Sequence, residues 1–258
     1  MIEELKIKTE TYYSLQKQRI QTQLRIKAYV KDGRLTTEQA EALHFWMDEV
    51  LSKVEQKTKK EIEGLLKGIP VWEEFFKKVK GIGPCLAGSL IAGIVDIGRF
   101  RYISSLWKYC GMHVVNGRAP RRERGKKINW DPFLRMTCFK IGDSFIKQKP
   151  ERCFYRALYD SKKLYYKEKY PEKVPLKTKK GKTVYMYTDG HIHNMARRYA
   201  VKIFLSHLWV RWRELDGLPI TKPWVIEHGG HQDYIAPQEA LWADWFKKGK
   251  GVPYEVWQ

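Results

Sequence analysis

Paired cysteines, long apolar runs and a balance of acids against bases are what this chain lacks. Its four cysteines, Cys85, Cys110, Cys138 and Cys153, stand far apart with no Cys-x-x-Cys among them. That spacing argues against a zinc knuckle and against a disulfide framework, and it fits a reducing cytoplasm. No apolar run approaches the ~18 residues of a membrane span, so no membrane partner is expected. The opening Met1-Ile-Glu-Glu-Leu5 has neither the basic nor the apolar segment of a secretory signal. A Gly-x-x-x-x-Gly-Lys phosphate loop is missing, which argues against an ATP-driven motor. Asp96, Asp131, Asp143, Asp160 and Asp189 are dispersed without shared local spacing, so a two-metal nuclease has no local signature.

Acids are the scarcest class relative to their counterparts. Lys and Arg number 49 against 29 Asp and Glu, a formal net charge of +20. Lysines that merely solvate helix faces would be balanced more closely; an excess of this size attracts polyanions and steers their association. Aromatics make up 14 % of the chain, with 10 Trp and 15 Tyr, so stacking surfaces interleave the basic stretches. The 258 residues, 43 % hydrophobic, suffice for one large domain or two small ones.

The pattern is mostly α. Residues 3–31 and 37–66 carry apolar side chains at helical spacing: Leu5, Tyr12, Leu15, Ile20, Leu24 and Ile26 in the first, Ala40, Leu43, Phe45, Met47, Val50, Leu51 and Val54 in the second. Asp32-Gly33 makes the turn, and Thr36 with Gln39 forms a capping box. This is an antiparallel hairpin or coiled-coil arm, broken at Gly64, Gly68 and Pro70. Further on, Ser104 is a candidate cap for a helix through Trp107 to Cys110, and Asp131-Pro132 opens a helix to about Lys147. A tyrosine-rich helix covers 151–170. A small basic β-hairpin follows over 173–188, turning at Lys180-Gly181, with Val184 and Met186 on one face. Asp189 is the expected N-cap of a long basic helix to about Leu215, buried along Ile192, Met195, Ala196, Tyr199, Ile203 and Phe204. Arg197, Arg198, Lys202, Arg211 and Arg213 supply cations elsewhere on that helix. A tail from 217 is rich in Pro, Gly and Trp and is expected to pack back onto the body. These breaks divide the chain into an arm (1–68), a central module (69–150) and a basic, aromatic-rich region (151–258).

The most informative stretch runs from Val71 to Ile94. Trp72, Phe75, Phe76 and Val79 lie at helical spacing before Lys80-Gly81-Ile82-Gly83. After it, Pro84 suits a first helical turn, and Leu86, Leu90, Ile91 and Ile94 form a helix face. The two glycines permit a tight turn and close approach of backbone amides to an anionic oxygen. This is the pattern of a helix-hairpin-helix, which grips phosphates without reading bases; an ordinary helix-loop-helix corner is the alternative. A second basic element follows at Arg118, Arg121, Arg122, Arg124, Lys126 and Lys127. Six cations in ten residues repel one another in a packed core, so this segment is a solvated loop or lies against phosphates.

Gly81-Ile-Gly-Pro84, then Ala87, Leu90 and Ile94, then Asp96 with Phe100, and Leu106, Tyr109 and Gly111 before the basic loop form an ordered series. It resembles the C-terminal domain of Piv/MooV-type transposases, the insertion sequence 110 family of DNA recombinases. The resemblance covers about 70–148, and the family's coiled-coil segment would correspond to the 3–66 hairpin. It implies a helix-hairpin-helix DNA-binding module of a mobile element or phage, in a prokaryotic, nucleoid-associated setting. Two departures stand out. The family's ribonuclease-H-like nuclease domain has no counterpart before residue 70, and Asn116 stands where the family carries a catalytic serine. An amide cannot take that nucleophile's part, so catalysis by this chain alone is not expected.

The nucleic-acid-binding residues so read are Lys80, Gly81, Gly83, Arg118, Arg121, Arg122, Arg124, Lys126, Lys127, Arg197, Arg198 and Lys202. The competing readings are a recombinase, transposase or nicking enzyme, with Ser104, Ser105 or Asn116 as catalytic candidates, and an RNA-binding module. The expected partner is DNA, with structured RNA as the alternative and a homodimer formed through 3–66. No cofactor is expected; magnesium enters only with nuclease chemistry. Among the histidines, His191 and His193 point to nearly opposite sides of a helix and His193 lies about 21 Å along it from His207. His228 and His231 remain as metal candidates.

Overall fold

A computed structural model of the chain describes residues 1–115, 117–177, 181 and 183–221. In chain order these form α1 (Ile2–Lys31), α2 (Thr37–Met47), α3 (Lys53–Leu66), α4 (Pro70–Glu74), α5 (Pro84–Ile94), α6 (Ile103–Tyr109), α7 (Pro132–Ile146) and α8 (Phe154–Lys169). A two-stranded antiparallel hairpin, β1 (Val174–Lys177) and β2 (Thr183–Met186), then precedes α9 (Asp189–Leu215). The chain is thus mostly α, with the small hairpin before a long helix. The Trp-rich tail from 222 onward and Lys180 of the expected turn lie outside the described residues. Two compact units are formed: one from Met1–Trp72 with Gly83–Val95, the other from Glu73–Ile82 with the chain from Asp96 onward.

In the first unit the capping box is present, Gln39 N donating to Thr36 Oγ1 at 3.2 Å and Thr36 N to Gln39 Oε1 at 3.0 Å. A five-residue π turn, Asp48–Ser52, joins α2 to α3. Such a turn shifts the apolar face, and Phe45, Trp46, Val50 and Val54 are left exposed. The unit closes around α5, which packs on α1 and α3. Small residues permit this: a Cβ on Gly88 would lie 3.1–3.2 Å from Leu5, Thr9 and Ile62. Glu55, nearly buried, is neutralised by Arg19 at 2.6 Å, and Lys8 meets Glu61 at 2.6 Å.

The second unit is organised on α9, which packs against α6, α7 and α8. Phe204 is wholly buried, with Phe75, Phe76, Phe145 and Tyr155 at ring separations of 5.4–6.3 Å. This cluster explains a departure from the helix expected over Val71–Val79. That segment divides into α4 and a 3-10 turn at Phe76–Lys78, because Phe75 takes φ −125, ψ −65. Adjacent positions on an α-helix diverge by about 100°, yet Phe75 and Phe76 must both reach Phe204. Two caps also differ from expectation. Thr188, not Asp189, caps α9, accepting from His191 N at 3.3 Å, since its side chain stands one position before the first helical residue. Tyr102 occupies the N-cap position of α6, which leaves Ser104 inside the first turn.

Arg197 and Arg213 are buried rather than displayed on α9. Arg213 donates to the carbonyls of Pro219, Ile97 and Phe100, tying the last turn of α9 to the Ile97–Arg99 turn. Trp209 Nε1 donates to the Phe100 carbonyl at 2.7 Å. At the base of the β-hairpin, Tyr187 holds φ +56 and stacks on Tyr170 at 4.0 Å. The strands themselves are exposed on both faces, with register Val174↔Met186 and Lys177↔Thr183.

Candidate nucleic-acid interface

Lys80 and Gly81 belong to the second unit, Gly83 to the first. Gly81 takes φ +96, a conformation L side chains rarely adopt, and its carbonyl accepts from Ser144 Oγ at 2.5 Å. The Lys80 carbonyl accepts from the Cys153 thiol at 3.5 Å while its side chain is exposed. Gly83 is extended (φ −101, ψ 175) and caps α5, with Pro84 as the first helical residue. Neither glycine amide donates to a partner among the described residues. The glycine requirement is therefore strict at Gly81 alone: a Cβ there would also sit 3.2 Å from Gln148 Cγ. Gly81→Ala is expected to destabilise the chain by about 1–3 kcal/mol, measured by urea denaturation. A change within error would show the turn to be slack.

The basic loop is held at both ends. Asp131 N donates to the Tyr109 carbonyl at 2.8 Å, and Asp131 Oδ1 accepts from Leu134 N at 2.8 Å to cap α7. Between these points Val115 and Arg118 exchange backbone hydrogen bonds of 2.8 and 3.0 Å around Gly117 at φ +73. Asn116, between them, lies outside the described residues. Arg118, Arg121, Arg122, Arg124, Lys126 and Lys127 are all exposed, as their mutual repulsion requires. Within 118–127 Glu123 is the sole acid, and it pairs with Lys126 at 2.7 Å. Arg118, Arg121, Lys126 and Lys127 line a groove of about 780 Å³ together with His113 and Trp130.

Beside the loop, α7 and α9 gather a second set of cations. Arg197 is held by Asp143 at 2.9 Å and Asn194 Oδ1 at 2.6 Å, and lies 3.7 Å over the Phe139 ring. Its charge is accordingly compensated. Arg135, Arg198 and Lys202 have no carboxylate partner among the described residues. Arg135 lies 5.1 Å over Trp130, Arg198 donates to the His113 carbonyl at 3.2 Å, and Lys202 Nζ lies 4.1 Å over Trp107. Burial pushes the pKa of all three down, and Arg198 and Lys202 are lowered further by neighbouring arginine. Both ring nitrogens of His113 are buried without a hydrogen-bond partner. Burial, then Lys108, Arg198 and Arg135, hold that ring's pKa below the ordinary histidine range. Arg135, Lys108 and His113 were not singled out by sequence. The Arg135–Phe139 spacing on α7 was the available signal, but their union with Arg198 is tertiary.

Among the described residues the catalytic candidates are not gathered into one cluster. Ser104 and Ser105 are exposed, and neither hydroxyl bonds a histidine or carboxylate among the described residues. Each dispersed aspartate has a local structural partner: Asp96 accepts from Gly98 N, Asp131 caps α7, Asp143 pairs with Arg197, Asp160 with Arg156 and Asp189 with Lys167. His193 bonds the Tyr159 hydroxyl at 2.8 Å, His207 that of Tyr155 at 2.9 Å, and His191 accepts from Tyr187 N. His228 and His231 lie outside the described residues. Among the described residues no group of three or more His, Cys, Asp or Glu could hold a metal ion, and no helix is long and apolar enough to cross a membrane.

No curated protein and no solved structure matches the chain. Its central third is another matter: the segment that carries the glycine turn, the basic loop, α7 and the start of α8, residues 73–156, matches the family model of the transposase IS116/IS110/IS902 family.

Proposed function

We propose that this chain binds duplex DNA through its phosphates, as the DNA-gripping part of a mobile-element or phage recombination system acting in a prokaryotic nucleoid. The observation that carries this reading is the 118–127 loop: six exposed cations, one acid, both ends pinned by Tyr109 and Asp131, inside the family-matched segment. The half-buried Arg135, Arg198 and Lys202, without a carboxylate partner among the described residues, add positive charge on the same unit. Lys80, beside the Gly81 turn, adds a further cation. Contacts of this kind position a duplex without reading its sequence. Strand transfer by this chain alone would need an activated nucleophile, and among the described residues neither Ser104 nor Ser105 bonds a base.

Titration of the purified chain against labelled duplex, single-stranded and four-way-junction DNA and a folded RNA, from 50 to 200 mM salt, tests the reading. Log affinity for duplex should fall linearly with log salt, with a slope of about −0.9 per phosphate contacted. A salt-insensitive complex, or a preference for folded RNA, overturns it. Nicking of supercoiled DNA in magnesium would replace it with the enzymatic alternative.

A further inference from the structure

A cavity of about 510 Å³ lies between Trp130, α7 and α9, and a grip on duplex phosphates has no use for it. Its inner wall is apolar, with Met112, Cys138 and Val201 all buried. Met136 and Phe139, 39 % and 52 % exposed, mark its mouth. Arg135, Arg197 and Arg198 reach the same space. Asp143 compensates Arg197, whereas Arg135 and Arg198 have no carboxylate partner among the described residues. The cavity thus joins apolar walls, an aromatic ring and two uncompensated guanidinium groups in one place.

Each simpler occupant satisfies only part of that lining. A small inorganic anion would neutralise the arginines and leave the apolar wall wet. An apolar molecule would fill the wall and bury two unpaired charges, which is costly. The backbone of an intact duplex is convex and keeps its bases stacked inside, so it offers phosphate but no apolar face. A flat ring joined to a phosphate satisfies both halves, since bases stack on aromatic side chains and on guanidinium planes alike. The volume is within the ~300–1,000 Å³ of small-ligand pockets.

The geometry points to this cavity as a pocket for one unpaired nucleotide of a bound DNA strand, its base against Trp130 and the apolar wall and its phosphate on Arg135 and Arg198. The inference rests on the duplex-binding reading above and adds to it a preference for distorted over intact duplex. Such a nucleotide is supplied by a bulge, a junction or a base displaced from its stack, and displacement costs least where pairing is already lost. The basic loop and the pocket then act on one substrate: the loop holds phosphates on either side, and the pocket takes the base that leaves the helix.

The test compares two DNA duplexes that differ only by one bulged adenosine, with the full chain and fluorescence anisotropy as the readout. The bulged duplex should bind about tenfold tighter than the paired one, as expected for one stacked base. Met136→Trp, which narrows the mouth from the exposed side of α7, should abolish that preference and leave paired-duplex affinity unchanged. Trp130→Leu, checked for folding by circular dichroism, should reduce the preference without changing the salt slope. Equal affinity of the native chain for both duplexes overturns the pocket and leaves the phosphate grip standing. Absence of binding to either duplex overturns both. A preference that survives Met136→Trp, or a stronger one for the same bulge in an RNA duplex, overturns the assignment to a DNA strand at this cavity.

Discussion

Replacing all six cations of the basic loop by glutamine (R118Q, R121Q, R122Q, R124Q, K126Q and K127Q) should weaken duplex binding on the order of a thousandfold at 50 mM salt. The slope of log affinity against log salt should become flatter by up to about five, since each neutralised phosphate contributes ~0.9. Folding should be nearly untouched. All six side chains are exposed, and the Lys126–Glu123 pair among them is an exposed bridge of the sort worth little. Two measurements separate folding from binding, because a thermal melt reports the fold and a salt titration the contacts. Unchanged affinity and slope would make this a solvated loop and remove the central support for DNA binding. A smaller loss with an unchanged slope would place the grip on Lys80 and the α7–α9 cations instead.

Phe204→Ala should destabilise the second unit by about 3–5 kcal/mol, a large part of the ~5–15 kcal/mol that holds a domain of ordinary stability. Phe204 is wholly buried among Phe75, Phe76, Phe145 and Tyr155. Its loss opens a cavity walled by rings whose backbones are fixed by other contacts: Phe145 sits in α7, Tyr155 in α8, and the Gly81 turn is tied to Ser144. Collapse into that cavity would require three elements to shift together. Urea denaturation followed by tryptophan fluorescence gives the measurement. A loss below about 1 kcal/mol would mean that the cluster relaxes freely and that α9 is not its organiser.

How far the sequence was legible follows from the range over which each feature is determined. Local chemistry was readable. The Thr36–Gln39 box and the Asp131-Pro132 start each involve residues within four positions, and both are present. The long helices were readable because many periodic positions vote together; α9 ends at Leu215 as expected. Where two good capping residues adjoin, as at Thr188 and Asp189, composition could not choose between them. The break at Phe75 was illegible for another reason. Trp72, Phe75, Phe76 and Val79 fit a helix in isolation, and only the position of Phe204, more than a hundred residues later, requires both phenylalanines on one side.

The candidate site divides in the same way. The loop was legible because charge repulsion is a property of composition and needs no fold. Arg197 looked equivalent to Arg198, yet Asp143 neutralises the first, while the second has no carboxylate partner among the described residues. That difference arises at the crossing of α7 and α9, where Gly142 leaves so little space that a Cβ would lie 2.6 Å from Arg197 Cγ. His113 and Arg135 gained meaning only once residues 108–113, 130–135 and 198–202 converged.

The passage of the chain between its two units bears on how its parts depend on one another. The segment that matches the transposase family model, 73–156, begins in one unit, enters the other through α5 and returns. Gly88 within it fits against Leu5, Thr9 and Ile62, all of which precede the segment, and Phe145 within it meets Phe204, which follows, edge to face. The borders of the matched segment and those of the packed units therefore differ. A fusion that carried 73–156 alone would take the matched segment without the side chains that pack against it. A change at Leu5, Thr9 or Ile62, or at Phe204, therefore bears directly on Gly88 or Phe145 within the segment.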